Sequence, residues 1–207
     1  MKPLPLVFLT AGLVAVSALT ASTENFDAAP PGTLPANWLG TKTGPGTPKW
    51  AVEKDPTAPG GGQVLVQSGA ASYPVCLRTD TKIKDGFVEV KFKAVAGRED
   101  QAGGVVWRAQ DADNYFIARA NALEDNLRLY RTVGGRRIQF DGVDLKVTGK
   151  TWHTLRVEFR GPLFTVFFDG QKVMTAHDGT FTAAGMTGVW TKADSVTAFD
   201  RFSCGAD

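Results

Sequence analysis

Metal-ligating and thiol chemistry have little to draw on in this sequence. Its 207 residues include two histidines and two cysteines. His153 and His177 fall in separate segments without ligand spacing, which excludes a zinc, haem or iron–sulfur centre as the organising feature. Lys and Arg total 23 against 21 acids, a formal charge of +2. No basic excess is available to neutralise a run of phosphates, so no nucleic-acid partner is expected. There is no G-x-S-x-G, no phosphate loop and no dinucleotide fingerprint. No window carries the apolar stripe of an amphipathic helix.

What is present begins with a targeting pattern. Lys2 precedes an apolar run, Leu6 to Val16, broken only by Thr10 and Gly12. The small residues Ser17, Ala18, Thr20 and Ala21 follow. This order predicts a secretory signal peptide over residues 1–21, cut after Ala18 or Ala21. The run is too short to span a bilayer as a mature helix, so the mature form is expected not to cross the membrane. The expected location is periplasmic or extracellular. Export would give Cys76 and Cys204 an oxidising setting, where they either pair or remain two buried thiols.

Residues 22–62 concentrate proline and glycine, including Pro30, Pro31, Pro35, Pro45, Pro48, Pro56, Pro59 and Gly60 to Gly62. Such a stretch makes no helix and reads as an ordered wrap with short extended pieces. Phe26, Trp38 and Trp50 are placed to pin it. From Gln63 onward the apolar period is two. Val88, Val90, Phe92 and Ala94 alternate with Phe87, Glu89, Lys91 and Lys93, Phe116, Ala118 and Ala120 with Tyr115, Ile117 and Arg119, and Leu127 and Leu129 with Asn126, Arg128 and Tyr130. Leu155, Val157 and Phe159, then Phe164, Val166 and Phe168, repeat the pattern. Turn residues separate these runs, and Asp169-Gly170 is the strongest hairpin signal. Many short strands at this spacing predict an all-β sandwich or barrel in a single domain, residues 22–207.

Four stretches together resemble a known family: AGGVVWRAQDADNYFIARANALEDNLRLYR, WHTLRVEF, FTVFFDG and GVWTKADSVTAFDRF. The chain is similar, from about Phe26 to Phe202, to the bacterial 3-keto-disaccharide hydrolase family. That family is related to laminin-G-like and concanavalin-like lectin and glucanase domains. The resemblance implies a concanavalin-like jelly roll of two antiparallel sheets, one concave, with sugars bound on the concave face or its rim. It also implies hydrolysis of oxidised disaccharides, although a fold alone does not fix a reaction. The sequence departs from glycoside hydrolase family sixteen, whose E-x-D-x-x-E pattern is missing. Glu99-Asp100 and Glu124-Asp125 are adjacent pairs at turns. Neighbours on a strand point to opposite faces, so neither pair supplies two carboxyls roughly 5 Å apart across a glycosidic bond.

Polar faces of neighbouring strands collect Arg108, Tyr115, Arg119, Asn121, Asn126, Arg128 and Tyr130, with Trp190 and Lys192 from a later strand. A sugar needs a ring to stack on and planar donors and acceptors, which these residues offer. A solvated sheet face would look similar. Glu124 is the candidate general base, or else a turn acid capping backbone amides, and Asp125 shares both readings. Asp111, Asp113 and Asn114 form a turn, or else offer oxygens to a structural calcium ion of the laminin-G type. No other cofactor is expected. His153 reads as structural and His177 as a surface residue. Three functions remain in play: an exported carbohydrate-binding domain, a 3-keto-glycoside hydrolase or lyase using one base, and an envelope protein-interaction module.

Overall fold

A computed structural model describes residues 21–207. The signal-peptide segment lies outside the described residues but for Ala21. Among the described residues fifteen strands follow one another without a helix. They are β1 (Ser22–Glu24), β2 (Trp38–Thr47), β3 (Trp50–Lys54), β4 (Gln63–Gln67), β5 (Ala70–Ile83), β6 (Gly86–Ala96), β7 (Ala102–Asp111) and β8 (Asn114–Asn121). Then come β9 (Asn126–Val133), β10 (Arg136–Asp144), β11 (Trp152–Arg160), β12 (Leu163–Phe168), β13 (Gln171–His177), β14 (Gly185–Trp190) and β15 (Val196–Ala206). Among the described residues no helix is long and apolar enough to cross a membrane.

The strands form two antiparallel sheets of the jelly-roll, concanavalin-like type. One runs β13-β12-β11-β6-β15-β4-β3, with β1 added beside β15. The other runs β10-β9-β8-β7-β14-β5-β2. The alternating residues read from the sequence meet between them. Val88, Val90, Phe92, Leu155, Val157 and Phe159 come from the first sheet, and Val105, Trp107, Phe116, Ala118, Leu127 and Leu129 from the second. All are almost or wholly buried, and burial on this scale is the main favourable term holding the sheets together.

The proline-rich wrap supplies more strand than expected. Its β2 is ten residues long and closes one edge of the seven-stranded sheet. Pro45 is tolerated there because an edge strand leaves one side of its ladder unpaired. Trp38 packs on Phe26 and Phe202, with centroids at 5.5 and 4.9 Å, and Trp50 on Phe199 at 6.0 Å. The Asp169-Gly170 hairpin joins β12 to β13 with both residues left-handed, φ 49 and 79, as a type I′ turn requires.

The Cys76–Cys204 bridge is not formed. Both thiols are free and buried. Each side chain turns into the common core from a different sheet, and the Cys204 sulfur sits 3.7 Å from the Ser22 hydroxyl. Burial pushes the Cys76 thiol far above its ordinary pKa, which starves it of the reactive thiolate. Both cysteines should therefore react with a water-soluble thiol reagent roughly a hundredfold more slowly in the native protein than in denaturant. A thiol count taken before and after unfolding checks this, and a native-state burst of one thiol would contradict it.

Candidate functional site

Each strand of the seven-stranded sheet has a second face, turned away from the core. Register places Val75, Trp190, Gly104, Arg119 and Arg128 in one row across β5, β14, β7, β8 and β9. The adjacent row holds Leu77, Gly188, Val106, Ile117 and Tyr130. This face has its own apolar floor, built from Val75, Leu77, Val106, Tyr115, Ile117, Tyr130 and Trp190. Trp190 and Tyr115 have no exposed surface. The Trp190 indole donates to the Tyr115 hydroxyl at 3.3 Å, and that hydroxyl lies 2.7 Å from the Thr43 hydroxyl. Both rings are therefore floor, and neither reaches a ligand as the alternation had suggested. The ring that surfaces is Tyr73, stacked on Trp190 at 5.7 Å with 20° between the planes.

Polar groups gather at one end of this floor. Arg119, at 3% exposure, donates to Asn126 Oδ1 at 2.7 Å, to Glu124 Oε2 at 2.7 Å and to the Tyr130 hydroxyl at 3.1 Å. Asn126 in turn donates to Glu124 Oε2 at 3.1 Å. Lys192 pairs with the wholly buried Asp100 and stands 3.9 Å from Glu124 Oε1. Asn121 also donates to Asp100 and is itself fully buried. Partial burial pushes the Glu124 carboxyl up, but Arg119, Asn126 and Lys192 outweigh it and hold it below its ordinary value. Glu124 is thus an ionised acceptor at neutral pH, with 40% of its side chain exposed.

The loop beneath is fixed from behind. Asp194 accepts from the backbone amides of Arg98, Glu99 and Asp100 at 2.8, 3.0 and 3.1 Å. Ala193, next to Lys192, is left-handed with φ 52. Bonds from Ala71 N to Ala193 O and from Ala193 N to Ser72 O hold that strained residue in place. A recess of ≈ 450 Å³ opens here, lined by Ser72, Tyr73, Glu99, Lys192 and Asp194 among others.

The sequence-predicted residues divide between this cluster and elsewhere. Arg119, Asn126, Glu124 and Lys192 come together, with Asn121 supporting from below. Arg128 lies opposite Arg119 in register but pairs outward with Asp144 at 2.6 Å. Arg108 is not on this face. Strict alternation would put it beside Gly104 and Val106. Instead the β7–β8 register breaks after Trp107, and Arg108 is left-handed with φ 49. This bulge places Trp107 and Arg108 on the same side, both against Phe159 and Phe164. Asp125 is a turn acid, paired with Lys146 at 2.8 Å and accepting from Val147 N. His153 is buried between Asp169 and the Thr148 carbonyl, at 2.8 and 2.9 Å.

The calcium reading of the β7–β8 turn does not fit. Asp111 spends its carboxylate on the Asp113 amide and the Asn114 side chain, at 2.7 to 3.0 Å. Among the described residues no group of three His, Cys, Asp or Glu stands close enough to hold a metal.

Three members of the site were missed from the sequence: Tyr73, Asp100 and Arg137. Arg137 comes from β10, paired opposite Thr132 of β9. Its guanidinium carbon lies 4.3 Å from the Tyr130 ring centroid, 4.5 Å from Tyr73 and 5.5 Å from Trp190. A signal existed, because the Gly134-Gly135 hairpin returns the chain beside Thr132 and so fixes where Arg137 falls.

Residues 23–195 match the model of the family described as 3-keto-alpha-glucoside-1,2-lyase-like domain. No curated protein matches the chain in sequence. Among solved structures, a carbohydrate-binding module of type CBM66 from Bacillus subtilis aligns with TM-score 0.66 and 20% identity, over 81% of this chain and 94% of that one. A Bacillus licheniformis β-glucanase aligns with TM-score 0.60 and 11% identity, over 90% and 98%. A Bacteroides ovatus mixed-linkage glucan hydrolase of family GH16 aligns with TM-score 0.61 and 9% identity, over 88% and 98%. At these identities the likeness is one of fold.

Proposed function

The chain belongs to the 3-keto-alpha-glucoside-1,2-lyase-like domain family, and from that premise we propose that the outer face of its seven-stranded sheet binds a carbohydrate. The observation that carries this reading is the juxtaposition at one end of the floor. A half-buried tyrosine ring, Tyr73, borders a recess that also holds Lys192 and Glu99, with the Glu124 carboxylate 3.9 Å from Lys192. A sugar presents one apolar ring face and a rim of hydroxyls. Tyr73 offers the apolar contact, while Glu124 and Lys192 offer an acceptor and a donor. The fold of the CBM66 module and the glucanases is compatible with this use. A second recess, ≈ 430 Å³ on the outer face of the other sheet, has Phe87 in its lining, with Arg156 3.9 Å from that ring.

Cleavage of a 3-keto-glycoside is the second reading, favoured by the family match and by the two cations beside Glu124. A keto group at carbon 3 acidifies the proton at carbon 2. A base would take that proton and the aglycone would leave carbon 1 with its bonding electrons, while Lys192 would stabilise the enolate oxygen. Binding ranks first because Glu124 is held below its ordinary pKa, which makes it a weak base at neutral pH.

The test incubates the protein with 3-keto-glycosides and their parent sugars and follows both by NMR. Saturation transfer without turnover supports binding, turnover supports the lyase reading, and silence in both removes the carbohydrate face. Tyr73→Ala removes the stacking surface and should weaken sugar binding by about tenfold, with the urea midpoint little changed. Unaltered affinity in that variant would move the site off this recess.

A further inference from the structure

Arg137 stands apart from every other arginine of the chain that is not fully exposed. Arg78, Arg108, Arg119, Arg128, Arg131 and Arg156 each pair with a carboxylate. Arg137 is half-buried, yet among the described residues it makes neither an ion pair nor a hydrogen bond, and its Nη1 is buried without a partner. Packing alone is a poor account of that, since a partly desolvated cation is normally matched by a counter-charge or a carbonyl.

Its surroundings confine it between aromatic rings. Tyr73, Tyr130 and Trp190 crowd the guanidinium at 4.5, 4.3 and 5.5 Å from carbon to ring centroid. Ring contact stabilises a guanidinium through its face and leaves the donor edge free. The remaining N–H groups, Nε and Nη2, are uncommitted and reach the surface beside Tyr73, the ring that borders the recess. The neighbouring cations each already face a carboxylate, Lys192 that of Asp100 and Arg119 that of Glu124. Arg137 is therefore a preoriented fork with an unused positive charge, the geometry that matches a carboxylate through two parallel hydrogen bonds.

We propose that Arg137 is a specificity determinant for acidic sugars, and that this face takes a glycuronate, with the sugar carboxylate on the Arg137 edge. The inference rests on the carbohydrate reading of the face and adds the charge of its ligand. Tyr73 would carry the pyranose ring while Arg137 reads the substituent at carbon 6.

The experiment titrates the protein with matched methyl glycosides, glucoside against glucuronide and galactoside against galacturonide, by calorimetry or ligand-observed NMR. A uronide should bind about ten- to a hundredfold tighter than its neutral partner. Arg137→Gln should erase that preference, so that uronide and neutral glycoside bind that variant alike, and added salt should weaken only the uronide in the wild type. Equal or weaker binding of both uronides overturns the acidic-sugar inference and leaves the carbohydrate face standing. No binding of any glycoside overturns both. Should Arg137→Gln fail to fold, the wild-type preference and its salt dependence decide the question alone.

Discussion

Arg108→Ala should destabilise the protein by about 3–5 kcal/mol without altering sugar affinity in the folded fraction. Arg108 is 1% exposed. Its Nε donates to the Lys84 carbonyl at 2.7 Å and its Nη1 to the Phe181 carbonyl at 2.9 Å. Its Nη2 serves both Asp85 and the Gly161 carbonyl, at 3.1 and 2.8 Å. One side chain thus ties the β5–β6 turn, the β11–β12 turn and the segment before β14 to the core. Removal would leave the Lys84, Phe181 and Gly161 carbonyls without this donor, while Asp85 would keep only the Gly161 amide. Burial draws the guanidinium below its ordinary pKa, and Asp85 pushes it back up. Arg108→Lys should not rescue the loss, because an ammonium cannot reach four acceptors in one plane. Urea unfolding of the two variants measures the effect. A stable Arg108→Ala protein that has lost sugar binding would instead return Arg108 to the ligand face.

The same residue shows where the sequence stopped being legible. Alternation places Phe116, Ala118, Leu127, Leu129, Leu155 and Val157 on core faces, and all are buried there. It also brings Arg119, Asn126 and Tyr130 to one face, where register confirms them. Alternation carries this information only while the pleat is unbroken. The bulge after Trp107 turned Arg108 over, and nothing local announces it, since the left-handed position is an arginine and not a glycine. A second break, between Gln139 and Asp141, interrupts the alternation of β10 beyond Arg137, whose own place follows only from the Gly134-Gly135 turn. Tyr73 was hidden differently. Tyr73, Pro74, Val75, Cys76 and Leu77 are apolar on both faces, because one face of β5 packs into the sandwich and the other under Arg137 and Trp190. Such a strand shows no period at all.

Arg119→Met should cost about tenfold in sugar affinity although Arg119 cannot touch a sugar. At 3% exposure it works through Glu124, whose carboxylate it holds at 2.7 Å while Asn126 holds the same oxygen at 3.1 Å. Arg119 is a positioning residue, and the prediction differs from that for a packing residue. Glu124 is depressed in the folded state, so its contribution to stability is present above the unfolded value, near 4.5, and is lost as pH falls through the folded value. Without Arg119 the carboxyl loses a hydrogen bond and a neighbouring positive charge that both hold it down, and it moves up. The pH at which binding is lost on the acid side should therefore rise in Arg119→Met and fall back in Arg119→Lys, which restores a cation without the fork. Glu124→Gln alone should cost as much affinity as Arg119→Met, and the double variant little more than either. That non-additivity, a coupling of about 0.5–3 kcal/mol, is what a shared hydrogen-bonded unit produces. Additive losses with an unmoved acid limb would separate the two side chains and leave Arg119 only the role of packing against Tyr130.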